Sequence, residues 1–132
     1  AAGLAVVEYL KKNNLVQRSA EKGKVFLDKL SKLMDLPMVG DVRGIGMLLG
    51  VELVKDKKTK EPYDPGKNVA GLIANYCKEN GVLIVAGVPG SSDGISGDQL
   101  QLSPPFIINE EEMDLTVDVL RRAIESVYDR VK

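Results

Sequence analysis

The stretch Val39–Val54, VGDVRGIGMLLGVELV, constrains this chain more than any other. Its apolar residues recur at alternate positions, with Ile45, Met47, Leu49, Val51 and Leu53 on one side. Period-two alternation is the pattern of a strand with one buried face, so a single strand is expected here. The opposite side carries Gly44, Gly46, Gly50 and Glu52, interrupted by Leu48. Glycine weakens a strand interior, and several on one side mark either a bulge in a twisted strand or the close approach of another backbone or ligand. Both readings stay open at this point.

The rest of the chain reads as helices around a small sheet. A helix is expected over 1–13, with Leu4, Val7 and Leu10 on one face, ending at Asn13-Asn14. A second runs to Met34 with the stripe Val16, Ala20, Gly23, Leu27, Leu30, Met34 and stops before Pro37. The lysine-rich segment KDKKTKEPYDPG reads as a solvated loop, the competing reading being an anion site. A third helix is expected from Pro65 to Asn80, with Val69, Leu72, Ile73 and Tyr76 buried and Cys77 beside them. Val82–Val85 reads as a short buried strand, residues 87–98 as a long glycine- and serine-rich loop, and Gln99–Ser103 as a third strand stopped by Pro104-Pro105. In the last helix Asn109 and Glu112 have capping-box spacing, and Met113, Val117, Leu120, Ile124, Val127 and Val131 form its stripe. The resulting class is α+β: a two-layer sandwich with a small, mostly antiparallel or mixed sheet of three to four strands and helices packed on one face.

Composition narrows the functions. With 18 Lys and Arg against 19 Asp and Glu the net charge is −1, and no basic stripe suggests nucleic acid. There is no histidine, which removes the commonest general base and every Ser/His or Cys/His arrangement. The one cysteine, Cys77, suits a reducing, cytoplasmic setting, and no apolar run is long enough for a membrane span. No metal ligand set is expected. Arg43, flanked by glycines, stands out as a planar guanidinium suited to clamping a carboxylate or phosphate, or to tying a loop to a neighbouring domain. The chain opens on helical periodicity without a methionine, so it is expected to be cut from something longer.

Two stretches carry a resemblance. VRGIGMLLGVELV with the charged segment after it, and LQLSPPFIINEEEMD, resemble strands of the class III pyridoxal-phosphate aminotransferases, which are of fold type I. AAGLAVVEYLKKNNL is similar to that family's helix between large and small domains, and GVLIV falls between the two motifs in the same order. The resemblance implies that residues 1–14 lead out of a missing large domain and that residues 15–132 are the C-terminal small domain. It further implies that pyridoxal phosphate, its bonding lysine and all catalytic residues lie in that large domain, with no cofactor-binding residue here. The parent would be a homodimer acting on an amine or amino acid and a keto acid, and the chain would be inactive alone. Arg43, Gln101 and Ser103 are the expected substrate-facing residues. Many relatives carry arginine where Gln101 stands, so an amine or ω-amino acid donor, with a keto acid such as pyruvate as acceptor, is expected over an α-amino dicarboxylate. The alternative is a free-standing α+β interaction or small-ligand module without catalysis.

Overall fold

The computed structural model describes residues 1–90 and 93–132. Ser91 and Ser92, within the loop expected over 87–98, lie outside the described residues. The elements are α1 (Ala2–Lys12), α2 (Leu15–Ser31), a 3-10 turn (Lys32–Asp35), β1 (Val39–Ile45), β2 (Leu48–Leu53), a 3-10 turn (Pro65–Lys67), α3 (Val69–Glu79), β3 (Val85–Ala86), β4 (Asp98–Leu102) and α4 (Glu110–Val131). The four strands pair antiparallel in the order β1-β2-β4-β3. Helices α2, α3 and α4 cover one face, so the expected α+β sandwich is the fold.

The organising stretch is a hairpin rather than one strand. Ile45 pairs with Leu48, and Gly46 and Met47 make the turn between them. Gly46 takes φ +54°, a conformation open to glycine at little cost. A two-residue turn reverses which parity faces inward. In β2 the odd positions Leu49, Val51 and Leu53 are buried, whereas β1 turns Val42 and Gly44 towards the helices. Ile45, expected inside, is 84% exposed. The glycines therefore share no single face: Gly44 lies against Leu49, Gly46 is the turn, and Gly50 is outward.

The turn is held from above by α2. Gly23 is buried there, and a Cβ on it would overlap the carbonyl of Gly46. That contact sets the rotation of the helix. Leu15, Gly23, Phe26 and Leu30 face the core, followed by Leu33 in the 3-10 turn, while Val16 and Met34 of the expected stripe are exposed. Phe26, Leu30 and Leu33 meet β2, β4 and α4 in one core with Ile73, Leu100, Met113, Leu120 and Ile124. Burying each such side chain contributes roughly 1.5–3 kcal/mol.

Other corrections follow from local geometry. Asn14 and Asn68 both adopt left-handed conformations, φ 52° and 47°. Asn14 separates α1 from α2, and Asn68 confines Pro65 to a separate turn so that α3 starts at Val69. In α3 the buried residues are Val69, Ala70, Ile73 and Cys77, and burial pushes the Cys77 thiol up to about 11. The VLIV run alternates instead of being buried throughout: Val82 and Ile84 are inside, Leu83 is 84% exposed, and only Val85–Ala86 joins the ladder. None of α1 is buried, including its expected face. The lysine-rich segment is tied down by its own ammonium groups. Lys57 donates to the carbonyls of Met34 (2.5 Å) and Leu36 (3.1 Å), and Lys60 to that of Gly40 (2.6 Å).

Helix α4 begins with the expected capping box. Glu112 N–H donates to Asn109 Oδ1 at 2.8 Å, and Asn109 N–H to Glu112 Oε2 at 2.9 Å. The start of α3 is capped from a distance instead: Ala70 N–H donates at 2.8 Å to Asp98, a buried carboxylate at the head of β4. Burial pushes the Asp98 pKa up, opposed by the Ala70 hydrogen bond.

Two predictions come from these contacts. Gly23→Ala should lower stability by about 1–3 kcal/mol, because the new methyl displaces the hairpin turn; urea unfolding measures it. Asp98 is protonated more readily in the folded state than in the unfolded, so stability falls as pH rises from its unfolded to its folded pKa and then levels off. Asp98→Asn, which keeps the acceptor oxygen, should flatten that decline, while Asp98→Ala should cost about 1–3 kcal/mol at neutral pH. Denaturation of the three proteins across pH 3–8 is the check.

Candidate functional site on the open sheet face

The face away from the helices carries the candidate site. Strand pairing puts Arg43 beside Gly50 and Gly50 beside Gln101, so these three form one row across β1, β2 and β4. Adjacent strands lie about 4.8 Å apart, which spaces the Arg43 and Gln101 backbones by roughly twice that. The neighbouring row is Asp41, Glu52 and Gln99. At the hairpin end the exposed Ile45 and Leu48 close the row with apolar surface. Arg43, Ile45, Leu48, Gly50, Gln99 and Gln101 line a shallow concavity of about 530 Å³.

Arg43 is already engaged. Its Nη1 donates at 2.7 Å to Asp41 Oδ2 and at 2.7 Å to Glu52 Oε2. Glu52 first, then Asp41, pushes the guanidinium pKa further above its ordinary value. One positive and two negative side chains leave the cluster at −1. All three are substantially exposed, so solvent screens the attraction and the cluster serves geometry more than stability. On the other side of Gly50, Gln101 Nε2 donates to Ser103 Oγ at 3.2 Å, which ties the carboxamide to the residue before the double proline.

Of the three residues singled out from the sequence, Arg43 and Gln101 thus share one face, and Ser103, just beyond β4, is joined to it through Gln101. Sequence reasoning missed that Asp41 and Glu52 neutralise Arg43. The spacing Asp41-Val42-Arg43 held the signal, since residues two apart in a strand point the same way. The Glu52 partnership depends on the hairpin, which the single-strand reading concealed.

The comparisons bear on what this face belongs to. The family model aminotransferase class-III matches residues 1–124. An uncharacterized aminotransferase of Schizosaccharomyces pombe is 42% identical over 127 residues, 96% of this chain and 28% of that protein. A leucine/methionine racemase of Thermococcus litoralis is 34% identical over 128 residues, 96% of this chain and 26% of that protein. The crystal structure of a transaminase from the marine bacterium Virgibacillus superposes with a TM-score of 0.86 at 31% identity, covering 98% of this chain and 28% of that one. The chain therefore spans little more than a quarter of the proteins it matches. It belongs to the class III aminotransferase family.

Proposed function

We propose that this chain is the C-terminal small domain of a longer aminotransferase, and that its open sheet face forms part of the wall of the substrate pocket. The observation that carries the reading is sidedness. Helices seal one face of the sheet, while the other presents Arg43 and Gln101 on either side of a bare glycine, with Ser103 hydrogen-bonded to Gln101. In this reading residues 1–14 lead in from the large domain, residues 15–132 form the small domain, and the parent enzyme is a cytoplasmic homodimer.

Class III aminotransferases use pyridoxal phosphate, which when bound supplies the electron sink for moving an amino group between an amine and a keto acid. Seven lysines of this chain are engaged in ways that do not suit bonding to it. A bonding lysine must be free to act as a neutral amine, which a lowered pKa favours. Asp114 holds Lys29 protonated, Glu61 does so for Lys55 and Asp129 for Lys132. Lys22, Lys57, Lys60 and Lys67 donate to backbone carbonyls. No lysine lines the concavity on the open face. The cofactor and its lysine are accordingly assigned to the remainder of the enzyme, and the chain alone is inactive.

What these residues contribute is selection. A substrate carboxylate approaching Arg43 meets a guanidinium already matched by Asp41 and Glu52, and a neutral Gln101 on its other side. This wall therefore favours an uncharged or cationic part of the substrate. The preferred donor is an amine or ω-amino acid, with a keto acid such as pyruvate as acceptor. The similarity to a racemase leaves the reaction itself to be read from the large domain.

Two measurements on the full-length enzyme test this. Borohydride reduction in the presence of pyridoxal phosphate, followed by peptide mapping, should label no lysine of residues 1–132; a labelled lysine there refutes the assignment. Pairing Asp41→Asn with Glu52→Gln should free Arg43 and raise kcat/KM for glutamate relative to a monoamine by about tenfold, the scale of one regained charge-assisted hydrogen bond. An unmodified enzyme that already prefers glutamate would overturn the donor class, and one that racemises a single amino acid without an acceptor would overturn the transfer reaction.

A further inference from the structure

Gly50 has no internal reason to be glycine. Elsewhere in the hairpin the reasons are visible: Gly46 has φ +54°, and a Cβ on Gly44 would lie 2.6 Å from Leu49 Cδ2 and 2.7 Å from the Leu48 carbonyl oxygen. At Gly50 φ is not positive, and an added Cβ would meet only the carbonyl oxygens of Leu100 at 3.7 Å and Arg43 at 4.0 Å. Those are ordinary van der Waals distances. A central strand position without a side chain also weakens the sheet, since glycine has the larger backbone entropy to lose and nothing to pack. Stability alone would favour a β-branched residue here.

The cost is explained by the space above it. Gly50 is the floor of the open-face concavity, with Arg43 on one flank, Gln101 on the other and Ile45 and Leu48 at the hairpin end. We infer that Gly50 is a specificity-determining residue: its missing side chain leaves a slot between Arg43 and Gln101 for the unreacting carbon body of an amine donor. The size of residue 50 then sets how bulky a donor the wall admits. The inference rests on the pocket-wall reading above and adds the residue that shapes the wall. The chemistry of the slot is a flat peptide floor between a guanidinium and a carboxamide, with aliphatic side chains at one end. Because the Arg43 charge is matched by Asp41 and Glu52, the slot suits an alkyl or aromatic group and no second anion.

The test uses the full-length enzyme with Gly50→Ala, Gly50→Val and, separately, Gln101→Ala. The probes are n-butylamine and 1-phenylethylamine with pyruvate, read as KM and kcat, or as a competitive Ki for an amine that is not turned over. Gly50→Val should raise the KM or Ki of 1-phenylethylamine about tenfold or more and leave that of n-butylamine within threefold, the range expected when a few methyl groups fill a pocket. Gly50→Ala should fall between, and neither substitution should lower the Tm of the enzyme. Equal losses for both amines together with a lower Tm would mean that the enzyme's own backbone fills the slot, which overturns the inference. No change for Gly50→Val while Gln101→Ala alters either constant would overturn the slot and leave the wall standing. No change in any of the three variants would sink the wall reading and the inference with it.

Discussion

The contact of the hairpin turn with α2 is the constraint on which the rest of this fold depends. Gly46 turns the chain at positive φ, and Gly23 lets the helix backbone sit directly on that turn. A side chain at Gly23 would displace the turn, and one at Gly46 would be strained by the positive φ and would crowd Ser19 Oγ of the same helix. The turn sets the parity of β1 against β2, and the helix contact sets which side of α2 faces inward. From the first follows the outward placement of Arg43 and Gly50. From the second follows the core of Phe26, Leu30 and Leu33, packed beneath Leu49, Val51 and Leu53. A one-residue change in the turn would exchange the two faces of β1 and bury Arg43.

Much of the fold could be read from the sequence because its signals are local. The capping box at Asn109, the left-handed Asn14 and the stop at Pro104-Pro105 each act within four residues, and each stands where it was expected. The misreadings concern longer range. From Ile45 to Leu53 the apolar residues other than Leu48 keep one parity through the two-residue turn, which hides the change of buried face between β1 and β2; only Asp41 and Arg43 on that same parity mark it. In α2 and the turn after it, Val16 and Met34 match the helical period as well as Leu15 and Leu33 do, so the period alone does not single out the buried side. Periodicity fixes spacing, and only the Gly23 contact fixes phase.

The candidate site divides in the same way. Residue type singles out Arg43 and the family resemblance adds Gln101 and Ser103; Arg43 and Gln101 line one concavity, and Ser103 is hydrogen-bonded to Gln101. That Arg43 is neutralised was not legible, because Glu52 reaches it only across the hairpin. The same blindness covered Gly50. Among Gly44, Gly46 and Gly50, three glycines of one parity, it resembles its neighbours, and only the separate surroundings of each show that Gly44 and Gly46 are required by the chain itself while Gly50 is not.

This difference bears on how selection acts on such a domain. The residues facing the helices answer to packing, and their substitutions are expected to act through stability. On the open face no core residue depends on Arg43, Gly50 or Gln101, and the Arg43 cluster is too solvated to stabilise the sheet by much. Residues there are free to answer to whatever lies against them. A sheet with one sealed and one open face thus separates two demands that most small domains must meet with the same side chains. The core can remain constant while the outward row at Arg43, Gly50 and Gln101 changes charge and depth.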